Sequence, residues 1–207
     1  DFDTSTGAPI SSNHLYARDR NVPTFFGGVT WDATSAVTVY GSAAQIFQPQ
    51  GTNVTAEGEP LEPITGASFE AGVKGTWLRG ALTGSLAAYR IQRKNAAVQT
   101  SATGFFGDLS CCYVAAAELS SAGFDAEVTG RLRPGWELFA GYTFNTTQYE
   151  RGYGDSDGSA YFPLMPRHLL KVWTMVRLPG RLAAVRVGGG INAQTKTYVS
   201  GTASTYD

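Results

Sequence analysis

From Ala67 to Trp77 apolar and polar side chains alternate one by one. Phe69, Ala71, Val73, Gly75 and Trp77 fall on one face, and Ser68, Glu70, Gly72, Lys74 and Thr76 on the other. A period of two is the signature of an extended strand whose faces meet different surroundings. Phe124, Ala126, Val128, Gly130 and Leu132 repeat it against Asp125, Glu127, Thr129 and Arg131. Trp136, Leu138, Ala140, Tyr142 and Phe144 do so against Glu137, Phe139, Gly141, Thr143 and Asn145. The same pattern sets Val37, Val39 and Ala43 against Thr38, Tyr40 and Ser42, and Leu170, Val172, Val176 and Leu178 against Lys171, Trp173 and Arg177. It also sets Val185, Val187, Ile191 and Ala193 against Arg186, Asn192, Gln194 and Lys196. With residues 24–31 and 81–99 this predicts about eight strands. In 81–99 the alternation is clean at Leu82, Leu86 and Ala88 but blurs at Tyr89–Gln92, where a bulge is expected.

The connections interleave. Tight turns are predicted at Asp32–Ser35, Arg79–Gly80, Pro134–Gly135 and Pro179–Arg181, and long loops at Gln48–Gly66, Thr100–Glu118 and Glu150–Pro166. An antiparallel up-and-down meander with its tight turns on one rim and its long loops on the other suits a membrane-spanning barrel.

A soluble sandwich alternates too, with its apolar face inward. Three features favour a barrel in lipid. Several strands are longer than the usual 5–6 residues of soluble sheets. Aromatic side chains gather at strand ends (Trp31, Phe47, Trp77, Trp136, Phe144, Trp173, Tyr198), as interfacial girdles require. The polar face carries charge in mid-strand, as a wet interior permits. Composition agrees: only 16% of the 207 residues are charged, 12% are aromatic, and 25 are glycine. A net charge of −1 gives a nucleic-acid role no support. No apolar run is long enough for a transmembrane helix.

The first residues, Asp1-Phe2-Asp3-Thr4, carry neither a basic region nor an apolar signal core, so the chain reads as a piece cut from a longer one. Cys111 and Cys112 are read first as two small residues near a strand end, with a vicinal disulfide as the alternative in an oxidising compartment. Two cysteines and two distant histidines, His14 and His168, make no metal site.

At Ile46-Phe47-Gln48-Pro49-Gln50 and Pro63-Ile64-Thr65-Gly66, and then in order through SFEAGVKGTW, LTGSLAAYRIQRKNAAV, SAGFDAEVTGRLRPGWELFAGYTFN and PRHLLKVWTMVRLPG, the chain resembles TonB-dependent ferric-siderophore receptors of the Gram-negative outer membrane. The likeness is to the hydroxamate (coprogen) and pyoverdine type and covers roughly residues 22 to 198. The resemblance implies that the all-β meander is a sector of a 22-stranded transmembrane β-barrel. Residues 1–207 are then one partial barrel domain, from the C-terminal part, with the plug domain and final strands absent. The implied partners are a ferric siderophore, outer-membrane lipid, the receptor's own plug and, through an N-terminal segment, TonB. Glu70, Lys74, Asp125, Glu127 and Arg131 would face that plug.

A ferric siderophore brings its own iron ligands, so its receptor needs aromatic surfaces and a few polar or charged partners at the outer mouth rather than metal ligands or a cofactor. The long-loop rim offers Phe105, Phe106 and Tyr113 in one region and Tyr149, Arg151, Tyr153, Tyr161 and Phe162 in another. Any one of these could instead pack its own loop. Gly154-Asp155-Ser156-Asp157-Gly158 lacks the later ligands of a calcium loop and reads as a solvated tip. Gly188-Gly189-Gly190 is no phosphate cradle; it reads as a flexible or bulged stretch or a close approach to the plug. His168 reads as a wet strand-end histidine. No catalytic spacing appears, so an enzyme is not expected. The alternatives are a receptor for another nutrient such as cobalamin or an oligosaccharide, a passive porin or adhesin barrel, and a soluble β-sandwich.

Overall fold

The computed structural model describes residues 21–100, 112–152, 157–161 and 164–197. They form one eight-stranded antiparallel sheet in strict chain order. Its strands are β1 (Phe26–Thr34), β2 (Val37–Val54), β3 (Pro60–Trp77), β4 (Leu82–Gln99), β5 (Tyr113–Arg133), β6 (Trp136–Arg151), β7 (His168–Arg177) and β8 (Arg186–Gln194). No helix among the described residues is long and apolar enough to cross a membrane, which says nothing of strands.

Residues paired across antiparallel strands share a face, so the register extends the alternation around the whole sheet. Val39, Val73, Leu86, Ala126, Tyr142 and Leu170 lie along the apolar face, and Tyr40, Gly72, Ala87, Asp125, Thr143 and Leu169 along the other. Among the described residues no second layer covers the apolar face. Phe69 is 52% exposed, and Val29, Leu86, Val187 and Ile191 are open as well. That rules out a sandwich with Phe69, Val73, Val128 and Leu138 clasped in a dry middle. The apolar stretches run Trp77 to Ala67 on β3, Gly130 to Ala122 on β5, and Trp136 to Phe144 on β6. Each is close to the roughly 9–11 residues that a tilted strand needs to cross hydrocarbon.

The tight turns fall where the sequence predicts them. Leu78, Arg79 and Gly80 run consecutively at positive φ (52°, 57°, 86°), and Gly135 turns the β5–β6 hairpin at φ 80°. The β7–β8 connection is longer than expected, with a turn at Gly180–Leu182 and its base closed by the Leu178 amide donating to the Val185 carbonyl at 3.0 Å.

At the other rim the expected long loop Gln48–Gly66 is mostly strand. β2 and β3 stay paired out to Val54 and Pro60, with register shifts between Gln48 and Gln50 and between Gln50 and Val54. The connection shrinks to residues 55–59, tied by Thr55 N to Glu59 O and Gly58 N to Thr55 O. In that turn the Thr55 hydroxyl, then Glu57's own backbone, hold the Glu57 carboxyl below its usual range. Likewise β5 begins at Tyr113, well before Glu118. Polar residues on both faces hide strand periodicity, yet main-chain pairing continues.

Three further expectations change. The ladder of β4 is unbroken from Leu82 to Arg93, so no bulge falls at Tyr89–Gln92. The shifts come between Arg93 and Ala97, around Asn95 at φ 62°. Alternation blurs earlier because Arg90 and Gln92 place polar side chains on the apolar face at the outer edge of the apolar band, opposite Phe69 and Ala67. Trp173, expected in an interfacial girdle, stands on the polar face opposite Phe139 and Gly190, 48% exposed. The Gly188–Gly190 stretch is regular strand rather than bulge. A Cβ at Gly190 would come within 2.9 Å of the Trp173 ring, so glycine there clears the floor on which the ring lies. Tyr198 lies outside the described residues.

Cys112 is disulfide-bonded, which does not fit the reading of two unlinked small residues; Cys111 lies outside the described residues. Cys112 is buried, at φ 72°, and its carbonyl accepts from both the amide and the hydroxyl of Thr100, each at 2.8 Å.

Candidate functional site

The strands outrun the apolar band. β2, β3 and β4 are 18 residues long and β5 is 21, so their outer ends stand clear of it. Buried side chains among the described residues are confined to this outer part. The apolar ones are Val54, Leu61, Ala96, Cys112 and Ala117, and the polar ones Gln50, Ser120, Ser121, Asn145 and Thr147.

Gln50 explains the pairing there. Its side-chain nitrogen donates to the carbonyls of Glu62 and Asn95, both at 2.6 Å, and its oxygen accepts from the Ala97 amide at 3.2 Å. One glutamine thus bridges β2, β3 and the irregular end of β4, supplying partners where the register shift leaves backbone groups without a ladder mate. Asn95 answers by donating from Nδ2 to the Pro63 carbonyl at 3.3 Å.

On the polar face of β4–β6 a second network forms. The Asn145 side-chain oxygen accepts from the Tyr89 hydroxyl and the Ser121 hydroxyl, both at 2.9 Å, and Asn145 Nδ2 donates to the Met165 sulfur. Met165 belongs to the connection between β6 and β7, which therefore folds back over the sheet. That connection is also pinned at Tyr149, whose amide donates to Ser159 O while its carbonyl accepts from Gly158 N. The Asp157 carboxylate accepts from Gly152 N.

The fold-back carries Tyr161 onto the row formed by Arg93, Leu119 and Tyr149. Tyr161 meets Tyr149 edge-on, with centroids 6.1 Å apart at 76°. The Arg93 guanidinium lies 5.9 Å from the Tyr161 ring centroid and donates to its hydroxyl at 3.2 Å. Two tyrosines from one expected region and a cation that sequence reading passed over thus converge on one patch. Arg93 could have been found by continuing the odd-numbered face of β4 from Thr83, Ser85 and Tyr89; the expected bulge at 89–92 concealed it.

The other expected residues are placed differently. Tyr113 is at the outer tip of β5, opposite Gln99. Arg151 is paired with Glu118 at 3.3 Å rather than with the tyrosines. Phe105, Phe106, Tyr153 and Phe162 lie outside the described residues. His168 is no isolated wet histidine: its Nδ1 meets the Tyr142 hydroxyl at 2.7 Å, and its ring sits 5.1 Å from Phe144, in an aromatic row at the edge of the apolar face. Among the described residues no cluster of three His, Cys, Asp or Glu side chains is placed to hold a metal ion.

The whole of residues 1–207 matches the family described as TonB dependent receptor-like, beta-barrel. The chain is 38% identical over 174 residues to a ferric-pyoverdine M114 receptor of Pseudomonas sp. (strain M114), covering 84% of this chain and 21% of that protein. It is 35% identical over 184 residues to a ferric-pyoverdine 358 receptor of Pseudomonas putida, covering 88% of this chain and 21% of that one. It thus spans about a fifth of the length of these relatives. Among solved structures, the Pseudomonas aeruginosa ferripyoverdine receptor bound to ferripyoverdine superposes with a TM-score of 0.70 at 30% identity, over 83% of this chain and 22% of that one. The alcaligin receptor of Bordetella pertussis gives 0.66 at 31%, over 84% and 29%.

Proposed function

We propose, from the premise that this chain belongs to the TonB-dependent receptor β-barrel family, that it forms part of the wall of a receptor importing a ferric siderophore. The family consists of outer-membrane receptors and transporters of Gram-negative bacteria, not enzymes. In that setting the apolar face meets lipid, the polar face lines the interior, and the meander is a sector of a 22-stranded barrel.

The observation that carries the siderophore reading is the patch of Tyr149, Tyr161 and Arg93 at the long-loop end of the interior face. A ferric chelate is bulky, with its iron already enclosed by oxygen. Rings to lie against and one cation suit it better than metal ligands would. The pyoverdine receptors among the relatives support the same reading. Tyr113, Arg151 and the loop aromatics Phe105, Phe106, Tyr153 and Phe162 remain candidates for completing the mouth. Import would be driven by TonB, with the receptor's plug closing the barrel between cycles.

Tryptophan-fluorescence titration of the intact receptor tests this. Saturable quenching by a ferric hydroxamate or pyoverdine-type chelate, absent with the iron-free ligand at the same concentration, is expected. Flat curves for every ferric chelate together with a response to cobalamin or an oligosaccharide would reassign the receptor to another nutrient.

A further inference from the structure

The Arg93 guanidinium has five N–H donors. Among the described residues its recorded hydrogen bond is to one phenol oxygen, that of Tyr161. The ion pairs there are Arg90–Glu150, Arg151–Glu118 and Arg186–Glu137, and Arg93 is in none of them. The bond and ring contact that hold it come from a residue 68 positions away, on a connection folded over the sheet. The two arginines nearest in register and sequence behave otherwise: Arg90 faces the other side of the sheet and reaches Glu150, and Arg151 reaches Glu118. A half-buried cation capped by a neutral phenol remains able to take a carboxylate or other anionic oxygen, because such a charge-assisted bond is stronger than the one it replaces.

We propose that Arg93 is the charge-reading residue of this mouth, so that the receptor prefers a ferric chelate carrying net negative charge, and that Tyr161 holds the guanidinium in place until such a ligand displaces it. This inference rests on the siderophore reading. It adds the charge class of the ligand and a division of labour: Tyr149 and the Tyr161 ring supply surface for any chelate, and Arg93 supplies the discrimination.

The test uses the intact receptor and three ferric chelates of similar size: an anionic citrate-hydroxamate, neutral ferrichrome and cationic ferrioxamine B. Wild-type receptor is expected to bind the anionic one best. Arg93→Gln should weaken the anionic chelate about ten- to hundred-fold, the range for a hydrogen bond to a charged group, and leave the neutral one within about two-fold. Arg93→Lys should restore part of the loss, since it keeps the charge but not the fork. Tyr161→Phe removes the competing hydroxyl and should tighten the anionic chelate about two- to five-fold.

A purely structural Arg93 would lower all affinities together in Arg93→Gln, and that result overturns the proposal. So does a wild-type preference for the neutral or cationic chelate. Binding of none of the three while cobalamin or an oligosaccharide binds overturns the siderophore reading itself, a pattern distinct from siderophore binding that ignores charge.

Discussion

Each central strand of this sheet is two structures in series. In the band from Trp77 to Ala67, or from Trp136 to Phe144, alternation is strict, the ladder is regular and almost nothing is buried within the chain. Beyond it alternation fails and the register shifts around Gln50 and Asn95, while the ladder stays regular at Ser121 and Asn145; in both places the chain buries polar side chains and joins them to one another. The difference follows from the solvent each half meets. In hydrocarbon every main-chain group must be paired and side chains need only be apolar, so regular strand suffices. Above the membrane, water competes for every hydrogen bond, and the strands persist only because side chains such as Gln50 lock them together.

The largest effect should come from putting the wrong side chain in the wrong solvent. Val128 and Gln92 share the outward-facing side of adjacent strands, the first well inside the apolar band and the second at its outer edge, opposite Ala67. Val128→Arg is expected to destabilise the folded receptor by about 2–4 kcal/mol, and Gln92→Arg by about 0–1 kcal/mol, following the depth dependence of arginine on a barrel's lipid face. Urea titration of the intact receptor refolded into lipid vesicles measures both. Equal costs would erase the distinction between the two halves.

The same contrast governs what could be read from sequence. All eight strands and the tight-turn rim were legible, because a two-sided environment writes period two into residues such as Phe69–Trp77 and Phe124–Leu132. The outer ends were not. Gln48–Gly66 reads as loop because polar residues occupy both faces, and no local pattern shows that Gln50 reaches across β3 to Asn95 and Ala97. The site was half legible for the same reason. Tyr149 and Tyr161 stand out as rim aromatics, but their meeting with Arg93 depends on a connection folding back over the sheet, a contact between residues 68 positions apart.

An intermediate effect should come from removing the outer lock. Gln50 is only 6% exposed, and its three hydrogen bonds vanish in Gln50→Ala, leaving two carbonyls and the Ala97 amide short of a partner. The expected cost is about 1–3 kcal/mol, the range for unsatisfied buried polar groups. It should be local: amide exchange should quicken at Asn95–Gln99 and Val54–Leu61, while Leu82–Ala88 keep their protection. A uniform rise in exchange along β4 would mean that the two halves open as one unit and that the series description is wrong.

The smallest effect marks the boundary itself. Arg90 is paired in register with Phe69, so a charge stands beside a lipid-facing ring on the same face. It is tolerated because Glu150, farther out on β6, draws the guanidinium toward water at 3.7 Å, and a long stem lets the head leave the hydrocarbon. The two side chains are 58% and 38% exposed, so the pair is screened and worth about 0–1 kcal/mol. Arg90→Ala should therefore cost no more than that at low salt and nothing measurable near 1 M, where the screening length falls to about 3 Å. Arg90→Leu is the sharper probe, because it removes the ion pair while extending the apolar band by one position. If β4 leaves hydrocarbon at Ala88, the change should lie within about 0.5 kcal/mol of wild type, as for a surface site away from special features. A gain well above that would place Arg90 inside the membrane and move the boundary outward on β4, bringing Gln92 and the row of Arg93 closer to the lipid edge than the polar outer half allows.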